Sequence, residues 1–224
     1  MKEIWVYESH NASEKLASLA ATRVSAQRRA SAARLKRPED KLPLLLGEAF
    51  VRAAAQRSGL CEAFSQWNRQ PGGKPFLSHR PSFHFNISHT AGAVLAAFHT
   101  APVGADTEYI GHGDPALARR FFAPGEIDFI RNGPTEDAAR RFCRIWTQKE
   151  AYVKFSGQGI TGAMANFDVT SDCGVRFFCF ETNVHCFCVC AREAFTESDI
   201  LHLNTNAVFK LLAALPEIPD IDGS

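Results

Sequence analysis

A chain of 224 residues, 46% hydrophobic and 22% charged, is long enough to bury a substantial core as one large or two small domains, and this balance excludes disorder and fibrous repeats. Its formal net charge of +1 supplies no global field for holding nucleic acid, so any anion site has to be local. No run reaches the roughly 18–20 apolar residues of a membrane span, and MKEIWVYESH lacks the apolar centre of a signal peptide, which together predict a cytoplasmic protein without membrane association.

In chain order, Ile4 to Ser9 alternates as a strand does, and Ser13 is placed to cap a helix behind it. The run from Ser25 to Arg37 is dense in arginine, and Pro38, Glu39 and Asp40 start a helix expected over about Asp40 to Arg57. Leu42, Leu45, Leu46, Ala49, Phe50 and Ala53 form its apolar stripe, and Gly59 ends it. RQPGGKPFLSHRP reads as a loop, followed by a hairpin of Phe83 to Ser88 with Ala93 to Phe98. Val103 to Asp106 is a third short strand. Pro115 to Phe122 and Pro134 to Gly157 read as helices with a Gly/Pro loop between them. FDVT, VRFFCF and HCFCVCA then return the chain to strands, as an antiparallel meander.

Seven cysteines raise the question of zinc, because Cys179, Cys186, Cys188 and Cys190 crowd into one stretch. Residues two apart on a strand share one face, however, whereas zinc sites commonly use turns of the CxxC kind. Buried free thiols are the expectation.

Three segments set ionisable residues among apolar ones: FNISH, VGADTE and WTQKEAYVKFSGQGI. Asp106 and Glu108 are two apart on a strand, so both carboxylates point the same way and repel unless a cation intervenes. Mg²⁺ suits that need, since it takes hard oxygen ligands and is commonly held by one or two carboxylates plus substrate phosphates. A solvated strand end is the bland alternative. On the helix, Trp146, Glu150 and Val153 lie near one face, and Glu150 and Lys154 stand one turn apart; an exposed pair of that kind is worth only about 0.3–0.5 kcal/mol. A satisfied core histidine is the bland reading of His89.

With GGKP ahead of them, these segments resemble the Sfp-type 4′-phosphopantetheinyl transferases. The ordered motifs are GGKPFL, FNISHTAGAVLAAF, PVGADTE, FFAPGE and WTQKEAYVKFSGQGI, with EDKLPLLLGEAFVR before them, over roughly residues 25 to 170. The resemblance implies a pseudo-twofold α+β fold of two similar halves, each a small antiparallel sheet with packed helices, divided as 1–102 and 103–224 with the active site in the cleft between. It implies transfer of 4′-phosphopantetheine from coenzyme A to a serine of an acyl, peptidyl or aryl carrier protein, with release of 3′,5′-ADP, by a monomer. Asp106, Glu108 and Glu150 would hold Mg²⁺, and Asp106 would also face coenzyme A. Lys74, His89 and Ser88 would take its phosphates, with Gly73 and Pro75 keeping their loop close and an exposed Arg28 at the 3′-phosphate. Lys154 would lie near the pyrophosphate, and Glu150 would act as general base. Glu126 matches a family acid expected to orient a helix or assist proton transfer. Thr107 departs from an apolar family position, and Ser31 and Pro43 fall where some members carry basic side chains. A non-catalytic coenzyme A or carrier-binding protein of the same fold is the alternative function, and an arginine-rich nucleic-acid module built on Arg28 to Arg37 is the weaker third.

Overall fold

The computed structural model describes residues 1–9, 13–60, 67–70, 73–77, 80–157, 164 and 167–219. The elements in order are β1 (Glu3–Glu8), α1 (Glu14–Ala21), α2 (Ala26–Ala33), α3 (Pro38–Arg57), β2 (Trp67–Arg69), β3 (Pro75–Leu77), β4 (His84–Thr90), β5 (Ala93–His99), β6 (Val103–Tyr109), α4 (Ala118–Phe121), α5 (Pro124–Arg131), α6 (Ala138–Ser156), β7 (Arg176–Glu181), β8 (His185–Ala191), β9 (Ile200–His202) and α7 (Thr205–Ala214). No helix among the described residues is long and apolar enough to cross a membrane.

Two sheets carry this α+β fold, in the orders β4-β5-β1-β9 and β6-β8-β7. Alternation along β1 and β5 buries both faces of the first. Trp5, Tyr7, Val94, Ala96 and Phe98 point into a core under α1, α3 and α7, where Phe50, Leu46 and Leu212 meet them. Ile4, Val6, Leu95 and Ala97 point the other way, against Val103, Ala105, Phe187 and Val189 of the second sheet. The outer face of that second sheet is covered by α6, with Ala151 against Cys188 and Cys190. The layers therefore run helices, sheet, sheet, helix, and each fully buried Leu, Val or Phe in them contributes roughly 1.5–3 kcal/mol.

Each sheet thus has one long helix on its outer side, 20 residues in α3 and 19 in α6. Pro43 sits inside α3 and has no N–H to give the carbonyl of Glu39; the N–H of Gly92, in the β4–β5 turn at φ +76°, donates to that carbonyl instead (3.3 Å). The helix is tied to the hairpin tip by a proline that would otherwise weaken it.

Several expectations need correction. The supposed Gly/Pro loop after Phe122 contains α5, whose Pro124 takes the first helical position and whose Glu126 accepts from the Ala123 N–H (2.7 Å). FDVT is a turn, closed by Asp168 Oδ1 accepting from the Thr170 N–H (2.8 Å), so it adds no strand. Pro75–Leu77, inside the stretch read as loop, pairs with β2. β6 runs on to Tyr109, which places both acids within a strand. The first sheet is not purely antiparallel, because β9 pairs with β1 in parallel, and α7 then packs on the first core. Residues 200–215 therefore sit with the first sheet although they follow the second in sequence.

Candidate active site

Asp106 and Glu108 face α6, since in register they oppose Cys188 and Cys186, the face of β8 that the helix covers. Gly104 lets α6 come close: a Cβ there would stand 1.9 Å from the carbonyl oxygen of Ala151 and 2.5 Å from the nitrogen of Phe155. That approach carries Glu150 and Lys154, on the same stretch of helix, to the acids of β6. From the neighbouring sheet, Asn86 Oδ1 accepts the Ala105 N–H (2.8 Å) and fixes β4 beside β6.

The centre is a hydrogen-bonded trio. Lys154 Nζ donates to Asp106 Oδ1 (2.5 Å) and to Ser88 Oγ (3.2 Å), while Ser88 Oγ donates to Asp106 Oδ1 (2.8 Å). The Asp106 side chain is 3% exposed and that of Lys154 is 30% exposed, so the carboxylate is buried while part of the lysine meets solvent. Asp106 Oδ2 is buried and has no hydrogen-bond partner among the described residues.

Three carboxylates crowd around this one ammonium. Burial, then the charge of Asp106, raises Glu108 to about 7, against the pull of Lys154 and a hydrogen bond from Trp146. Glu150 is raised by burial and then by Asp106, again opposed by Lys154. For Lys154 burial works against the charged form, but Asp106, by charge and hydrogen bond, with Glu150 and Glu108, outweighs it and raises the pKa. The site holds more negative charge than its lysine balances. As it stands, no group of three His, Cys, Asp or Glu side chains among the described residues is gathered closely enough to cage a metal.

The remaining predicted residues flank this centre. His89 is next to Ser88 on β4; the protein packed about its ring, then Arg28 and Lys154, lower its pKa, with Asp40 opposing, although the residue is exposed. Lys74 Nζ donates to the Val103 carbonyl (2.8 Å) at the other end of β6, and burial lowers its pKa to about 8. Gly73 has φ +83°, and Lys74 and Pro75 line a cleft of about 160 Å³ with Phe85, Pro102 and Phe155. No hydrogen bond or ion pair among the described residues joins Lys74 to the acids. Arg28 differs from the exposed cation expected: its side chain is 18% exposed and its Nε pairs with Glu48 (3.3 Å), which also accepts from the Ser25 N–H (2.6 Å).

Thr107 turns away from the acids and donates to the Cys186 carbonyl (3.0 Å), so its polarity is satisfied within the sheet. Ser31 donates to the Gln27 carbonyl on α2 (3.0 Å). The six described cysteines are free, Cys186, Cys188 and Cys190 are buried on one face as the alternation predicts, and Cys61 lies outside the described residues.

The family model of the 4′-phosphopantetheinyl transferase superfamily matches residues 102–199, the stretch that holds both β6 and α6. A 4′-phosphopantetheinyl transferase of Bacillus pumilus is 36% identical over 145 residues, 64% of this chain and 62% of its own length, and one of Bacillus subtilis is 32% identical over 147 residues, 65% and 66%. The 4′-phosphopantetheinyl transferase HetI of Nostoc sp. is 32% identical over 164 residues, 70% of this chain and 69% of its own. The chain belongs to the 4′-phosphopantetheinyl transferase superfamily. It spans just under two thirds of the length of those two Bacillus relatives.

Within this member of the superfamily, two site-building features escaped sequence reasoning. Gly104 is one; a glycine two residues before an acid on a strand is the signal that a backbone passes close by. Lys149 is the other. It is fully buried with Glu126 at 2.8 Å and donates to the carbonyls of Met164 (2.6 Å) and Phe167 (2.7 Å), while Glu126 Oε1 accepts from the Val169 N–H (2.8 Å). Of the two roles expected for Glu126, this geometry fits the first: with Lys149 it ties α5 and α6 to Met164, Phe167 and Val169.

Proposed function

We propose that this chain transfers the 4′-phosphopantetheine moiety of coenzyme A to a serine hydroxyl of an apo carrier protein of the acyl, peptidyl or aryl type, releasing 3′,5′-ADP. The observation that carries the reading is the Ser88–Asp106–Lys154 cluster, buried on its carboxylate side and open on its lysine side, in a member of this superfamily. It acts as a monomer in the cytoplasm.

A divalent cation fits the donors present. Asp106 Oδ2 is a buried oxygen without a hydrogen-bond partner among the described residues, and Glu108 and Glu150 are raised by burial and then by the charge of Asp106. Asp106, Glu108 and Glu150 offer the hard carboxylate oxygens that Mg²⁺ takes, and Mg²⁺ commonly completes its shell with water and substrate phosphates. Asp106, Glu108 and Glu150 are the residues that would hold it. The chemistry supplied there when it is bound is neutralisation of the diphosphate of coenzyme A.

The chain's own groups do the rest. Lys154 offsets charge that builds on the equatorial phosphoryl oxygens, and its hydrogen bonds to Asp106 and Ser88 hold it in place before substrate arrives. Arg28, Lys74, Ser88 and His89 bind coenzyme A phosphates, and Gly73 and Pro75 shape the loop that presents Lys74. Glu150 takes the proton of the carrier serine as its oxygen bonds to phosphorus and the diphosphate P–O bond breaks; its raised pKa makes it a stronger proton acceptor than an ordinary carboxylate. Mixing the protein with apo carrier, coenzyme A and Mg²⁺ should add the mass of one phosphopantetheine to the carrier. The Asp106→Ala variant should lose at least about 10²–10³ in rate while keeping its circular dichroism; undiminished labelling by that variant sinks the reading.

A further inference from the structure

β7 is the edge strand of the second sheet, and its register on β8 sets Cys179 directly opposite Cys188. Their sulfurs are 3.0 Å apart. Directly opposed residues of an antiparallel pair have Cα atoms about 4.5–5.5 Å apart, inside the range of about 4.4–6.8 Å that disulfides span. The other thiols of that face lack such a partner, since Cys190 opposes Phe177 and Cys186 opposes Glu181. Cys179 is partly exposed and Cys188 is fully buried, so one sulfur meets a reagent and the other waits behind it. Cys188 also opposes Asp106 on its other side and packs under Ala151 of α6, next to Glu150.

We infer that Cys179 and Cys188 form a peroxide-sensitive pair, which closes to a cross-strand disulfide and by doing so disturbs the acids of the proposed transfer site. Hydrogen peroxide, or a hydroperoxide of the same class, is the oxidant. Cys179 Sγ attacks one peroxide oxygen, the O–O bond breaks, one water leaves, and Cys179 carries a sulfenic acid. Cys188 Sγ then displaces that oxygen, its thiol proton leaves with it as a second water, and the S–S bond forms; two thiols lose two electrons and one peroxide gains them. Cys188 is fully buried and Cys179 partly exposed, so the sequence starts at Cys179.

Closing the bond draws Cys188 Sγ toward β7 by up to about 1 Å. The space it leaves lies beneath Ala151 and beside Asp106, and a close-packed interior does not keep such a gap, so α6 or Asp106 shifts to fill it. A misplacement of about 1 Å can cost up to ~10²-fold in rate. The consequence for transfer rests on the function proposed above; the covalent step does not.

The test treats the full chain with mild hydrogen peroxide, alkylates the remaining thiols, and maps disulfides by peptide mass. A Cys179–Cys188 link should appear, hydrogen exchange in α6 should change, and phosphopantetheine transfer should fall roughly tenfold and recover with dithiothreitol. Cys179→Ser should keep the reduced rate and ignore peroxide, and Cys188→Ala serves as the second insensitive variant. A different pairing, no disulfide, or a disulfide that leaves α6 exchange unaltered overturns the inference. If the reduced protein shows no transfer at all, the functional reading has failed, and mapping with α6 exchange still decides for or against the switch.

Discussion

Replacing Gly104 by alanine puts the whole site geometry at stake without touching any group proposed to bind or react. The new Cβ would lie 1.9 Å from the Ala151 oxygen, 2.5 Å from the Phe155 nitrogen and 2.9 Å from the Phe155 Cα, all backbone atoms of one helix. No side-chain rotation relieves such contacts, so α6 has to retreat from β6 by on the order of 1 Å to restore ordinary packing. Overpacking of this kind costs about 1–3 kcal/mol, and the retreat carries Glu150 and Lys154 away from Asp106 and Glu108 together. The Lys154–Asp106 bond of 2.5 Å is the first to lengthen. With misplacement of that size worth up to ~10²-fold, transfer to an apo carrier should drop by about one to two powers of ten. Urea unfolding and carrier mass gain, measured side by side, check both parts. A variant with wild-type stability and a rate within about twofold of normal would show that close contact between β6 and α6 does not set the site.

Two further perturbations follow from groups away from the reacting centre. Glu126→Gln leaves the fully buried Lys149 without its countercharge, and urea unfolding should show a loss of roughly 3–5 kcal/mol, part of which the double variant Glu126→Gln with Lys149→Met should return; a loss under about 1 kcal/mol would remove the pair from any structural role. Lys74 has a pKa of about 8 in the fold against 10.5 in the open chain, so between those values the unfolded chain binds the extra proton and stability rises with pH. Over the same rise Lys74 loses the charge proposed to hold coenzyme A phosphates, and the KM for coenzyme A should climb above pH 8 in the wild type but not in Lys74→Arg; equal profiles would take Lys74 out of phosphate binding.

Local periodicity made much of this fold readable. β4, β5 and β8 announce themselves by short apolar runs, α3 and α6 by their helical patterns, and the β6 acids by lying two apart. Failures came where one residue type serves two purposes. Pro124 and Gly125 look like a turn but start α5, and FDVT has strand residues whose aspartate closes a turn on itself. Partners distant in sequence were also out of reach: Arg28 shows its charge, but nothing local shows that Glu48 claims it, and Lys149 looks like an exposed helix lysine until α5 brings Glu126 against it. β9 is only three residues long, and its place beside β1 is decided by the rest of the sheet rather than by its own composition.

That late return of the chain also bears on how the molecule is made. Val208, Leu212 and Leu215 complete a core whose other walls come from β1, α1 and α3, so a nascent chain that has emerged only to about residue 199 holds a first layer with an open side and an unpaired β1 edge. Closure of that core then has to wait for residues 200–215, and a chain cut before them would be a sticky half-product.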